Sequence, residues 1–452
     1  MAARAVGGSV IGAAVPFFRV TTDTRALTPG DLFVALKGDR FDGHDFVGQA
    51  LAGGAAAALV ERSRVESLDG NLIAVDDPLH SLAALATFWR RRFAIPVAVV
   101  TGSNGKTTTK EMIAAIFRAA VGDDAVAATP GNFNNAIGLP LAVLAMRGQH
   151  RLAVFELGMN HRGETRELAR IAQPTIALVT NAQREHQEFM RTVDEVAAEH
   201  ADAIAALPAD GTAVINADDP RAAIWRAAAL GVNAHTVTFG LDAAADVRAR
   251  YVPHAEGSAL ELVTPAGNAH VLLHVPGRHM VMNALAAAAV GHAADLPVTA
   301  IVRGLQTFRP VRGRLVTSTT ATGVTVIDDT YNANPDSVRA AIDVLATRAA
   351  PRWLALGDMG EVGDEGPRYH QEIGAYARAA GLDRVFASGE LARHAVTAFG
   401  EGAAHFQSVD ELAREVAAHA PSGATVLVKG SRFMRMERVV AALAGTASGG
   451  LH

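Results

Sequence analysis

The chain has 452 residues, half of them hydrophobic and 19% charged, with a formal net charge of −5 and no cysteine. That length calls for two to three domains rather than one core, and the negative balance gives no general attraction to nucleic acid or acidic lipid. Without cysteine there is no disulfide, no thiol nucleophile and no thiolate metal site.

In chain order, the run from Val6 to Val15 is Gly-rich, has only Arg4 ahead of it, and flows into Phe17-Phe18-Arg19-Val20, which reads as a strand rather than as part of an export signal. The Ala-rich helices are broken by charges well before the length of about 18 residues that a membrane span needs. A cytoplasmic protein is expected. Residues 1–92 read as a first unit of short strands and helices, with apolar runs at Phe33–Leu36 and Ala55–Val60 and a connecting helix from Leu82 to Phe93.

Residues 93–309 read as a second unit of alternating strands and helices. It opens with the apolar run Ile95–Val100, then Thr101-Gly102-Ser103-Asn104-Gly105-Lys106-Thr107-Thr108-Thr109, then the apolar-periodic stretch Lys110–Phe117. A strand, a Gly-rich turn and a helix in that order are the context in which Gly-Lys-Thr forms a phosphate loop. Glycines let consecutive N–H groups face one concavity, and the helix N-terminus adds partial positive charge. Lys106 would reach the outer phosphates, and the Thr107 or Thr108 hydroxyl would join a Mg²⁺ shell. Val100 stands where the general Walker pattern has another Gly. The bland alternative is an ordinary strand-to-helix turn.

Further strands are expected at Leu152–Phe155, Ile176–Val179 and Ala213–Ile215. Each ends in polar residues: Glu156, then Thr180-Asn181, then Asn216 to Asp219. In open α/β sheets the ligand crevice lies at the carboxyl ends of the strands, so these positions should converge. Glu156 suits the Mg²⁺ carboxylate of a nucleotide site. His186, with Glu185 and Glu188 beside it, is open to a ligand role, a proton-transfer role or a structural one. Asn134 and Asn135 sit in an amide-rich, Gly-bracketed loop where Asx-turns are a strong alternative. A β-rich stretch follows at Tyr251–Val275, then an Ala-rich helix from Asn283.

Residues 310–452 repeat the α/β logic, with strands at Val324–Ile327, Trp353–Leu356 and Thr425–Val428 ending in Asp328-Asp329, Gly357-Asp358 and Lys429 to Arg432. Asn334 and Pro335 read as helix cap and first helical residue, which leaves Tyr331 and Asn332 upstream without a local structural role. The tail Ser448-Gly449-Gly450 is expected to fray.

The phosphate loop, Glu156-Leu157-Gly158-Met159, Asn181-x-x-x-x-His186-x-Glu188, Gly277-Arg278-His279, Gly313-Arg314 and Asp329-x-Tyr331-Asn332-Ala333-Asn334-Pro335 occur in this order across the three units. Together they resemble the Mur ligases of peptidoglycan precursor synthesis, and the resemblance covers essentially the whole chain. The family's shorter Thr-Gly-x-Asn-Gly-Lys-Thr-Thr loop accounts for Val100.

The resemblance implies three domains: a small α/β domain for the UDP substrate, a central ATPase-like domain with a mostly parallel sheet, and a C-terminal Rossmann-like domain. It implies ATP-dependent joining of D-alanyl-D-alanine to UDP-N-acetylmuramoyl-tripeptide through an acyl phosphate, by a monomer using Mg²⁺, with two ions expected. Gly102, Ser103, Asn104, Gly105, Lys106, Thr107 and Thr108 would hold the ATP phosphates. Thr107 and Glu156 would hold a first ion and His186 a second. Asn283 would contact adenine, while Arg314 and Asp329 would meet the phosphates and ribose. Thr22, Asp23, Thr24 and Arg25 look like part of the UDP-sugar segment; Asn134 and Asn135 would face the peptide arm, and Tyr331 and Asn332 carry the most subtype-specific motif.

Two positions depart from the family pattern. Met280 follows His279 where Asn is frequent. His200 stands where the family commonly has a lysine whose carbamate bridges two Mg²⁺ ions, and histidine cannot carry a stable carbamate. Thr192-Val193-Asp194-Glu195 reads as a capping box for a helix that places Val193, Val196, His200 and Ile204 on one inward face. Either a water or a nearby carboxylate replaces the carbamate, or His200 is a packed, non-catalytic residue. The alternatives for the whole chain are the ligase adding the third amino acid, a folylpolyglutamate-type ligase, a P-loop kinase or NTPase, and a non-catalytic nucleotide-binding module. The Tyr331–Asn334 motif speaks against the first two.

Overall fold

Strands that read as unbroken apolar runs are buried on both faces, and the computed structural model, which describes residues 1–254 and 256–445, assembles them into three sheets. The first has five strands in the order Ser9–Ile11, Leu72–Val75, Ala57–Glu61, Asp31–Val34, Arg19–Thr21, parallel except for Ser9–Ile11. The central sheet has nine, with Val97–Thr101 between Ile176–Val179 and Leu152–Glu156. Its far edge is an antiparallel ribbon, Val247–His254, Gly257–Thr264 and Gly267–Leu273. The third has six strands, parallel except for the edge Val316–Thr319.

Alternation along the central strands builds two cores. Val97 and Val99 face one side with Phe155, Ala177 and Val179; this core reaches Leu82 and Leu85 of the first unit. Ala98 and Val100 face the other side, against Ile113, Phe117, Leu285 and Val290 of helices Lys106–Val121 and Arg278–Ala293, and this cluster continues to Leu354 and Leu356 of the third sheet. Val326, Trp353, Val426 and Leu412 make a separate core on that sheet's other face. The carboxyl ends of the central strands therefore have fixed walls, with the third unit held in front of them.

Several elements differ from the sequence reading. The helix expected from Asn283 spans Arg278–Ala293, starting at Gly277, whose φ of 104° breaks the preceding chain direction. The connecting helix is Pro78–Arg90, because Asp77 caps it and Pro78 opens it. Thr192 accepts the Glu195 N–H as expected, but Glu195 reaches past the cap to the Arg191 N–H at 2.8 Å, so the box is only half formed. Strands Val126–Ala128, His235–Gly240, Arg384–Ser388 and Ala403–Phe406 were not anticipated; they are short or mixed in polarity. The tail from Ser448 lies outside the described residues. Among the described residues no helix is long and apolar enough to cross a membrane.

Candidate active site

The Val97–Thr101 strand delivers the chain into the phosphate loop, where Gly102 (φ 130°) and Gly105 (φ 84°) take backbone angles that L side chains rarely adopt. A Cβ on Gly102 would lie 2.0 Å from the Thr180 hydroxyl, and one on Gly105 2.4 Å from the Asn283 amide oxygen. Only glycine lets the loop pass between these neighbours. Helix Lys106–Val121 follows with Gly105 at its N-cap and no side chain capping it. An uncapped helix start, with its free N–H groups and dipole, is a ready anion site.

On one side of the loop, the Thr107 hydroxyl donates to Glu156 Oε2 at 2.8 Å, and Asn134 Nδ2 donates to Glu156 Oε1 at 2.8 Å. Glu156 is held in register by its own N–H donating to the Thr129 hydroxyl. Of the paired amides, Asn134 thus faces the site, whereas Asn135 accepts the Ile137 and Gly138 N–H groups and serves the turn.

On the other side, Lys106 Nζ donates to the Gly102 and Ser103 carbonyls and lies 3.4 Å from Glu185 Oε2. Glu185 Oε1 is 3.1 Å from His200 Nε2, and His200 Nδ1 is 2.9 Å from the Thr101 hydroxyl. A carboxylate only accepts, so Nε2 carries the proton and Nδ1 accepts from Thr101. Burial pushes the His200 pKa down, against the pull of Glu185, which keeps the ring neutral. Burial opposes ionisation of Glu185, but Lys106, His200 and His186 outweigh it and hold its pKa at about 2. His200 is therefore fully buried, as its helix face required, yet hydrogen-bonded to the site rather than packed as a bystander.

His186 and Glu361 meet where the third unit reaches the loop. His186 Nδ1 lies 2.6 Å from Glu361 Oε2, with its Nε2 3.6 Å from Glu185. Both residues have positive φ, 49° and 58°, without being glycine, a strain that typically costs about 1–2 kcal/mol per residue. Three further contacts seat the third unit. Arg314 donates to the Thr107 hydroxyl at 2.8 Å and lies over the Tyr331 ring at 4.1 Å; the Asn104 and Asn334 amides pair reciprocally; and Arg184 binds Asp336 and Glu372. Arg184 and its two carboxylates had no signal in the sequence beyond their charge.

Most of these residues line one cleft of ≈ 2200 Å³ between the three units, together with Asn181, Asp218, Asp219, Asn332 and Asp329; Thr101, Gly102, Thr129, His200 and Glu372 are not part of its lining. Asp329 is paired to Lys429, which also donates to the Asn332 carbonyl. Asn283 reaches the cleft at the loop itself, against Gly105. Thr22, Asp23, Thr24 and Arg25 are not among the cleft-lining residues. Asp23 caps a short turn there and pairs with exposed Arg25.

The matches to known families fall on these same three units. Residues 18–90 match the "Mur ligase family, catalytic domain" model, residues 100–291 the "Mur ligase middle domain" and residues 313–432 the "Mur ligase, glutamate ligase domain". The chain is 40% identical over 443 residues to the UDP-N-acetylmuramoyl-tripeptide--D-alanyl-D-alanine ligase of Escherichia coli, covering 97% of this chain and 96% of that one. This chain belongs to the Mur ligase family. The Bacillus subtilis enzyme of the same name is 36% identical, with 93% and 92% covered. Among solved structures, MurF from Acinetobacter baumannii superposes with a TM-score of 0.90 at 34% identity, covering 98% of each chain. MurF ligase from Thermotoga maritima, in complex with ADP, gives 0.84 at 28%, covering 95% and 97%. In this chain the loop, Glu156 and the third-unit contacts lie together in one cleft, at the carboxyl ends of the central strands.

Proposed function

We propose that this chain is the ATP-dependent ligase that joins D-alanyl-D-alanine to UDP-N-acetylmuramoyl-tripeptide in peptidoglycan precursor synthesis. The names of its relatives support this substrate pair, and one observation carries the chemistry. The third unit is seated on the phosphate loop through Arg314–Thr107, Asn334–Asn104 and Asp336–Arg184, so a polyphosphate in the loop would lie between two walls. A kinase reading gives the first unit no task, while the ligase reading gives it the UDP moiety, with Thr22, Asp23, Thr24 and Arg25 in that role.

Lys106 and the uncapped helix start would bind the ATP phosphates, with Asn283, Arg314 and Asp329 on the rest of the nucleotide. Mg²⁺ fits the donor set of Thr107 hydroxyl and Glu156 carboxylate, both hard oxygens. Among the described residues no group of three or more His, Cys, Asp and Glu is arranged to cage a metal alone, as suits an ion that takes one or two carboxylates and completes its shell with phosphates and water. When bound, it would neutralise charge on the transferring phosphoryl group.

In the first step the tripeptide's terminal carboxylate oxygen attacks the γ-phosphorus and ADP leaves, giving an acyl phosphate. The dipeptide amine then attacks the acyl carbon; the tetrahedral intermediate expels phosphate as the amine gives up a proton. No protein nucleophile is needed. The chain's contribution is positioning and charge: Lys106 and Arg314 toward the phosphates, Asn134 toward the peptide arm with Asn135 holding its turn, Tyr331 and Asn332 at the third-unit wall. The seated third unit excludes water from the acyl phosphate. The protein works as a cytoplasmic monomer. With ATP, UDP-N-acetylmuramoyl-tripeptide and D-alanyl-D-alanine, mass spectrometry should find the tripeptide nucleotide plus the dipeptide less one water. Phosphate release with no such product would overturn the reading.

A further inference from the structure

Glu185 is deeply buried in the cleft, as are Glu156 and Asp219, but its contacts are longer than theirs. Its side chain is 7% exposed, yet Oε2 faces Lys106 Nζ at 3.4 Å and His186 Nε2 at 3.6 Å, both long for a carboxylate that can accept about four hydrogen bonds. Only Oε1 has a well-placed donor, His200 at 3.1 Å, and that ring is fixed from behind by Thr101 at 2.9 Å. The carboxylate is thus held rigidly with one oxygen turned to the phosphate loop.

Its charge balance depends on Lys106. A polyphosphate in the loop would draw the same ammonium, leaving a buried carboxylate beside a polyanion with two neutral-capable rings as its only company. Two negative groups in a low-dielectric cleft repel strongly unless a cation lies between them.

We propose that Glu185 is a ligand for a second divalent cation, held with His186 and the nucleotide phosphates, and that His200 positions it. This rests on the nucleotide-ligase reading above. His200 cannot form a carbamate, and Glu185 makes one unnecessary: the oxygen donor is built into the chain. Thr107 and Glu156 hold the first ion on the opposite side of the loop, and Glu185 serves the second.

The test counts Mn²⁺ ions, using the electron paramagnetic resonance of free Mn²⁺ during titration of the full chain with a non-hydrolysable ATP analogue. Wild type should bind two ions whether or not bicarbonate is present, and Glu185→Gln should bind one while keeping the analogue. Glu185→Asp, which keeps the charge but shortens the reach, should bind the second ion about tenfold more weakly; it also serves if the Gln variant does not fold. Two ions of unchanged affinity in both variants, or one ion in wild type, would overturn the proposal. A second ion that appears only with bicarbonate would overturn it as well. Failure of wild type to bind the analogue would instead sink the nucleotide reading.

Discussion

The two sides of the phosphate loop solve the same problem in different ways. On the Glu156 side the partners are short and mostly local to the sheet: Thr107 lies in the first turn of the helix, Glu156 ends the adjacent strand, Asn134 closes over it, and Arg314 of the third unit reaches the Thr107 hydroxyl. On the Glu185 side the partners come from four places, namely the loop, the segment after Asn181, the helix of His200 and the third unit's Glu361. The first arrangement is rigid because a parallel sheet fixes it. The second joins segments far apart in the chain, and the third unit adds Glu361 to it through His186.

Lys106 is where the two sides meet, so its loss should have the largest effect. Lys106→Ala should lower the rate of ATP-dependent ligation by roughly 10²–10³-fold or more, measured as phosphate release under saturating substrates. Retained turnover would remove the loop lysine from the mechanism and leave the Glu185 side without its cation to no consequence.

A smaller effect is expected where the second side is tied to the third unit. Arg184 is four-fifths buried and forked onto Asp336 and Glu372, which outweigh its desolvation and raise its pKa. Arg184→Ala should weaken closure by about 1–2 kcal/mol, read as a fall on the order of tenfold in kcat/KM. Arg184→Lys should not restore it, because an ammonium cannot make the fork. An unchanged kcat/KM in Arg184→Ala would mean that the third unit is held by the Thr107 and Asn104 contacts alone.

The Glu156 side was legible in the sequence and the Glu185 side mostly was not, for a physical reason. A phosphate loop and a strand-end carboxylate are set by local spacing and by the pairing of neighbouring strands, which register Val100 beside Glu156. The strands of the central sheet were likewise readable as apolar runs, and Asn334 with Pro335 as a helix start. Glu185 was visible only as an acid near a histidine, since its burial depends on a helix 15 residues later placing His200 against it. Inward orientation of His200 followed from helical spacing, but its partner did not. The pairing of Arg184 with Asp336 joins residues 152 apart, and nothing local foretells it.

The smallest expected effect belongs to a histidine away from both sides and separates structural from site histidines. His370 is fully buried; its Nδ1–H donates to the Gly366 carbonyl at 2.7 Å, and Nε2 accepts the Met359 N–H at 3.0 Å. Burial lowers its pKa, and His394 adds to this while Gly366 and Asp358 oppose it. A second proton would face the Met359 N–H. The unfolded chain, with a histidine pKa of about 6.5, therefore binds more protons, so the contribution is present above that pH and lost as pH falls through the window below it. Urea unfolding at pH 7.5 and 5.5 should show wild type losing up to about 1 kcal/mol more than His370→Gln between the two conditions. Equal losses would place the acid sensitivity elsewhere, on His200 or His279, which burial also lowers.

The most direct measurement is phosphate release from ATP in the presence of UDP-N-acetylmuramoyl-tripeptide, with and without D-alanyl-D-alanine. A seated third unit that shields an acyl phosphate until an amine attacks predicts steady release only with the dipeptide, matched one to one by amide product. Equal release without it would contradict amine-dependent ligation at this site.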